Sequence, residues 1–300
     1  MTAVCQKQGC FIMAARKDTA LSTISAAFAA NWLMTPMMNT TKKIRPPIKT
    51  AEEKWNLKDF IISNFPEGYE QMTYVEPFCA GGAIFLNKNV SEIEVICDSD
   101  QGIIALFKAI RDEPKEFITR IKRTKYSERA FKIAFNKSQT EFEDYIDRAV
   151  NEYILRKMSR GGKKKSFAWS DKMADETANE WELMADKLSE ISERVQNTTV
   201  LCKNFVEVIK VWDEDNTLFY FDPPALRSIP IDESTEPHEL SVEDHMNLIH
   251  LAKNAKGKVI ISGYSCPLYN RSLKSWKCKK KTATASQTKS KHIDCIWTNY

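Results

Sequence analysis

Thr73-Tyr74-Val75-Glu76-Pro77-Phe78-Cys79-Ala80-Gly81-Gly82, followed further on by Ile93-Glu94-Val95-Ile96-Cys97-Asp98, decides the fold of this chain. Aromatic and β-branched residues make Thr73 to Val75 a short strand, which Pro77 and the paired glycines stop in a tight turn. Ala83 to Leu86 is expected to open a helix. Ile93 to Cys97 reads as a second strand closing on Asp98-Ser99-Asp100, and Gly102 to Arg111 repeats its apolar residues with a helical period. Strand, glycine turn, helix, strand, acid is the order of a nucleotide-binding half of an α/β protein.

Outward from that half, the alternation continues. Lys54 to Phe65 spaces Trp55, Leu57, Phe60, Ile61 and Ile62 as a helix that Pro66 and Gly68 end. Pro114 to Val195 is helical in pattern, highly charged and without a convincing strand. The α/β pattern resumes with strands at Thr199 to Leu201 and Thr217 to Phe221, a helix from Ser241 to Ala255 with Ser241 and Asp244 as its capping pair, and strands at Lys258 to Ser262 and Ile293 to Trp297. The expected organisation is a catalytic sheet from residues 42–113 and 196–300, interrupted by a helical domain at 114–195. Residues 1–41, basic at Lys7, Arg16 and Lys17 and then rich in Ala and Met, read as a loosely ordered extension; a targeting segment is the alternative.

The apolar run Thr217-Leu218-Phe219-Tyr220-Phe221 ends in Asp222-Pro223-Pro224-Ala225. An acid and two prolines at the carboxyl end of a buried strand deliver a carboxylate and a rigid backbone carbonyl where α/β proteins bind ligands. Two acceptors of this kind can hold both hydrogens of an exocyclic amino group and turn its lone pair toward an electrophile.

Composition narrows the class. The 300 residues are 43% hydrophobic and 28% charged, an ordinary globular balance, and no run approaches the length of a membrane span. The net charge is only +4, but Arg156, Lys157, Arg160, Lys163, Lys164 and Lys165 crowd one stretch, interrupted by Gly161 and Gly162 and closed by Phe167 and Trp169. Such a segment suits phosphate contacts. A second group, Lys274 to Lys281, serves equally as a charged hairpin edge. Eight cysteines without CxxC spacing read as reduced thiols of a cytoplasmic protein, and His238, His245, His250 and His292 lack ligand spacing, so no metal site is expected.

With these residues together, the chain from Arg45 to Tyr300 resembles the Dam-type DNA adenine-N6 methyltransferases of bacteria and their phages. The resemblance rests on Tyr74-Val75-Glu76-Pro77-Phe78, Phe85-Leu86-Asn87-Lys88, Gly161-Gly162 with Lys165 to Ser170, Asp222-Pro223-Pro224, Val259 to Tyr264 and the terminal Trp297-Thr298-Asn299-Tyr300. It implies a Rossmann-like α/β sheet that binds S-adenosylmethionine, with an inserted helical target-recognition domain that grips DNA. Cofactor contacts then fall to Lys54, Glu76, Phe78, Ala80, Gly82, Asp98, Asn204 and Asp222, with Asp98 on the ribose hydroxyls. Asp222 and Pro223, with Pro224 and Ala225, would handle the flipped-out adenine. Arg156, Arg160, Lys163, Lys164, Lys165 and Trp169 would meet DNA. The family works without a metal, generally as a monomer, and is compatible with a restriction endonuclease partner.

Four departures stand out. Thr50-Ala51-Glu52-Glu53-Lys54 replaces a family motif of aromatic, any residue, Gly, Gly, Lys, so that Lys54 alone remains. Ala80 stands at a glycine position, Asn204 where an acid is frequent, and Ala225 where an aromatic ring stacks on the base, a contact worth roughly 1–3 kcal/mol. Two readings of different class follow: a working adenine-N6 methyltransferase, or a catalytically silent DNA-binding relic of one. Methylation of cytosine N4 or of RNA by the same acceptor geometry is a third, which the likeness across the insert disfavours.

Overall fold

Strands β1 (Thr73–Glu76), β2 (Ile93–Asp98), β3 (Thr199–Cys202), β4 (Thr217–Phe221), β5 (Lys258–Tyr264), β6 (Lys277–Thr284) and β7 (Lys291–Thr298) form one sheet ordered β3-β2-β1-β4-β5-β7-β6. The computed structural model describes residues 43–50, 54–142, 144–168, 181, 183–226, 239–284 and 291–300, all within the unit Thr40–Tyr300. The first five strands are parallel to one another, and β7 runs antiparallel to both β5 and β6. All five residues of β4 are buried, as a central parallel strand covered on both faces demands. The sequence proceeds in one direction from β1 through β2 to β3, and in the other from β4 to β5. The strand order therefore reverses between β1 and β4, and ligands of open α/β sheets bind at the carboxyl ends of strands beside such a reversal.

Helices close both faces. On one side α2 (Gln101–Asp112), α3 (Pro114–Lys122), α4 (Glu128–Lys137), α5 (Tyr145–Lys157) and α6 (Met184–Val195) share a buried cluster with Tyr74, Ile96, Leu218, Tyr220 and Ile260 of the sheet. The short helix α1 (Lys58–Ile62) contributes Ile61 to it. Phe117, Ile121, Phe131, Tyr153, Trp181 and Leu188, all from residues 114–195, belong to that same cluster, and α5 lies against α2. On the other face α7 (Phe205–Trp212), α8 (Val242–Asn254) and α9 (Pro267–Ser272) cover Val75, Val95, Phe219, Phe221, Val259 and Ile261. Ser241 and Asp244 cap α8 reciprocally, each side chain accepting from the other's backbone N–H.

One local expectation changes. Ala83 to Leu86 forms turns rather than a helix. Ala83, Ile84, Phe85 and Leu86 are all buried, leaving no solvent face for a helix, and the Asn87 side chain holds both backbone groups of Ile44, at 3.0 and 2.8 Å. The lysine group near the carboxyl end becomes the outer strand β6, where exposed Lys277, Lys279 and Lys281 defend an otherwise unpaired edge. Glu52, Glu53 and Trp169 lie outside the described residues, as do positions 1–42.

Candidate active site

Asp222 follows the last residue of β4 and sits beside β5. The register pairs Phe221 with Ile261, which brings Asp222 alongside Ser262. The Ser262 hydroxyl donates to Asp222 Oδ1 at 2.7 Å and is itself 2.9 Å from the Tyr220 hydroxyl. Lys54 Nζ reaches the same Oδ1 at 3.2 Å, and both side chains are largely shielded, at 7% and 18% exposure. Burial pushes the Asp222 carboxyl upward from its ordinary range, and the ammonium and hydroxyl partners work against that rise. Both partners converge on Oδ1. The other oxygen, Oδ2, accepts no hydrogen bond among the described residues.

The turn after β1 faces this carboxylate across the strand-order reversal. Glu76 is 2% exposed and accepts a hydrogen bond from the Tyr74 hydroxyl at 2.6 Å. Burial drives its pKa to about 8, with the Asp222 charge adding to the rise and the Tyr74 bond opposing it. The turn itself is fastened to β2: the Cys79 N–H donates to the Cys97 carbonyl at 2.9 Å, and the Ala80 N–H donates to Asp98 Oδ2 at 3.0 Å. Ala80 holds a φ of +43° and Gly82 one of +74°. A side chain at Gly82 would come within 2.9 Å of the Phe107 ring, so the close approach of α2 requires glycine there. Phe78 packs on Phe205, with ring centroids 5.4 Å apart.

Asp98 also accepts from the Asp100 N–H through Oδ1, at 2.9 Å. Asn204 caps α7, its side chain accepting from the Val206 N–H at 2.9 Å, and is exposed at the carboxyl end of β3. Lys54, Glu76, Ala80, Gly82, Asp98, Asn204 and Asp222 thus collect along one edge of the sheet.

The basic segment divides. Arg156, near the end of α5, sends its guanidinium inward to Asp100 at 3.0 Å and is also paired with Glu152. Lys164 contacts Glu152 at 3.2 Å and Asp100 at 3.7 Å. Both cations are engaged by carboxylates that cap and flank the start of α2. Arg160, Lys163 and Lys165 are exposed, on a loop closed by a bridge between Ser159 and Phe167. Phe167 anchors the loop from below against Tyr126 and Phe131, at 5.5 and 6.1 Å.

A family model described as D12 class N6 adenine-specific DNA methyltransferase matches residues 53–287, which include every one of these groups. The chain belongs to this family. It is similar to the DNA adenine methylase of Haemophilus influenzae, 26% identical over 73% of this chain and 78% of that protein, and equally to the DNA adenine methylase of Escherichia coli K12, with the same identity and coverage. The type II methyltransferase M.MjaIII of Methanocaldococcus jannaschii is 21% identical over 80% of this chain and 92% of its own length.

As a D12 class methyltransferase, the chain shows site residues that sequence reasoning missed. Ser262 and Tyr220 complete the support of Asp222, and the period-two pattern of β4 and β5 was the available signal, since both point to the Asp222 face. Tyr264, two residues beyond Ser262, lies with its ring centroid 5.5 Å from Lys54 Nζ. Among the described residues, no group of three or more His, Cys, Asp or Glu side chains is arranged to hold a metal, and no helix is long and apolar enough to cross a membrane.

Proposed function

We propose that this protein transfers a methyl group from S-adenosylmethionine to the N6 amino group of adenine in DNA, using the crevice between the ends of β1 and β4. The single observation that carries the reading is Asp222: one oxygen is fixed by Ser262 and Lys54, and Pro223 follows it at the end of β4. When bound, S-adenosylmethionine supplies a methyl group on a positively charged sulfur, already activated for displacement. The residues present suit such a cation, because Asp98 and Asp222 line the strand ends and Gly81 and Gly82 let backbone come close.

Asp222 Oδ2 accepts one amino hydrogen and the Pro223 carbonyl accepts the other. Held this way, the nitrogen turns its lone pair out of the ring plane and in line with the methyl group. Lys54 and Ser262 keep the carboxylate in place, and the proton released after transfer leaves through Oδ2 to solvent. Asp98 holds the donor's ribose hydroxyls, and Glu76 underlies its methionine part. Arg160, Lys163 and Lys165 supply phosphate contacts from the loop after α5.

Incubation with methyl-labelled S-adenosylmethionine and unmethylated DNA of mixed sequence, followed by nucleoside mass spectrometry, tests this reading. N6-methyladenine is the expected product. Asp222→Ala is expected to lower its rate by at least about a hundredfold, the effect of removing an oriented hydrogen-bond acceptor from a reacting centre. Label on cytosine, or none on DNA, would overturn the assignment.

A further inference from the structure

Asp98, the last residue of β2, accepts from two backbone amides, Ala80 at 3.0 Å and Asp100 at 2.9 Å. Its orientation therefore depends on where Asp100 is held. Asp100 is 6% exposed and caps the start of α2, where its Oδ1 accepts from the Gly102 N–H at 2.8 Å. Its other oxygen faces the helical insert. Asp100 Oδ2 accepts from the Arg156 guanidinium at 3.0 Å and lies 3.7 Å from the Lys164 ammonium.

The insert is docked closely at this point. Glu152 is buried on α5 and pairs with both cations, Lys164 at 3.2 Å. A side chain at position 102 would come within 2.5 Å of Glu152 Oε2, so the approach of α5 requires the glycine that opens α2. Lys164 reaches its partners from a backbone φ of +59°, which penalises any side chain, and its N–H donates to the Ser159 hydroxyl at 2.9 Å. Two carboxylates thus meet two cations behind Asp98. Burial works against the Arg156 charge, while the charges of Glu152, Asp100 and, more weakly, Asp98 raise its pKa. We infer that Arg156 and Lys164 are positioning residues for the ribose of the methyl donor: through Asp100 they fix the Asp98 carboxylate, so the helical insert completes the cofactor site. The inference rests on the reading of Asp98 as the acceptor of the ribose hydroxyls.

Lys164 gives the test, because it is half-buried and its glutamine variant leaves Arg156 in place. Equilibrium dialysis on the full chain compares S-adenosylhomocysteine with its 2′,3′-dideoxyribose analogue, for the native protein, Lys164→Gln and Lys164→Arg. Lys164→Gln is expected to weaken S-adenosylhomocysteine about five- to thirtyfold and the dideoxy analogue less than about twofold, the coupling of groups in one hydrogen-bond network. Lys164→Arg should recover most of the loss. Equal loss on both probes, or unchanged affinity for S-adenosylhomocysteine in Lys164→Gln, overturns the positioning role while leaving the methyltransferase reading intact. A native chain that shows the selective loss on substitution but forms no N6-methyladenine leaves the positioning role standing and removes the catalytic reading. A native chain that binds neither probe overturns both.

Discussion

Ala80 adopts a φ of +43°, in the left-handed region that penalises any side chain. The penalty is about 1–2 kcal/mol, and the extra freedom glycine has in the unfolded chain returns about 0.5–1 kcal/mol of it. Ala80→Gly is therefore expected to raise stability by about 0.5–1 kcal/mol, read as a higher urea midpoint at unchanged slope. Glu76 gives a second residue-level prediction, in pH. Its folded pKa of about 8 lies above its ordinary 4.5, so the folded state holds a proton that the unfolded state has released. Its contribution is fully present below pH 4.5 and is lost as pH rises toward 8, at about 1.4 kcal/mol per pH unit. Glu76→Gln lacks that slope, and unfolding at pH 5 and pH 8 should show the variant gaining on the native chain as pH rises. The sequence disclosed both positions, Glu76 by its place at a strand end and Ala80 by its place in a glycine turn. It could not disclose the Tyr74 bond, the burial of the acid, or the exposure of Tyr264, because each depends on neighbours brought in by the sheet.

At the level of elements, the loop after α5 is fixed by glycine rather than by its charges. Gly161 and Gly162 have φ of +63° and +71°, yet a side chain at Gly161 meets open space while one at Gly162 would lie 2.0 Å from the Lys49 carbonyl oxygen. Gly161→Ala is expected to cost about 1 kcal/mol through its φ alone. Gly162→Ala adds a clash with backbone and should cost at least about 2 kcal/mol more, measured by the same urea unfolding. The strand and helix pattern around this loop was legible because apolar runs, prolines and capping residues act locally. Ala83 to Leu86 defeated local reading, since total burial and the grip of Asn87 on Ile44 override helix propensity. Strand β6 was legible as one of two readings: lysines reveal a charged hairpin edge but carry little strand propensity. A buried ion cluster was invisible altogether. Arg194 of α6 donates to both oxygens of Glu94 on β2, at 2.6 and 2.9 Å, and to the Phe85 carbonyl at 2.7 Å, while Lys88 also pairs with Glu94, joining residues a hundred positions apart.

Across the whole molecule, a net charge of +4 says little, and on the proposed function the placement of cations matters more for DNA binding. Arg156, Arg160, Lys163, Lys164 and Lys165 look equivalent in sequence, but the fold turns Arg156 and Lys164 toward buried carboxylates and leaves the other three outside. Each exposed cation that neutralises a phosphate steepens the dependence of log affinity on log salt by about 0.9. Replacing Arg160, Lys163 and Lys165 together with glutamine should weaken binding to mixed-sequence duplex without lowering the urea midpoint. The salt dependence should flatten by about 0.9 for every phosphate no longer neutralised. Arg156→Gln should do the opposite. It leaves Asp100 and Glu152 with a buried charge deficit at the start of α2, a loss of about 3–5 kcal/mol when one partner of a buried pair is removed, and leaves the salt dependence near its native value. A salt titration of the native chain and both variants, beside urea unfolding, separates the two classes. If Arg156→Gln flattened the salt dependence while the exposed triple variant did not, the loop would be facing away from DNA, and the phosphate contacts would have to be sought elsewhere on the molecule.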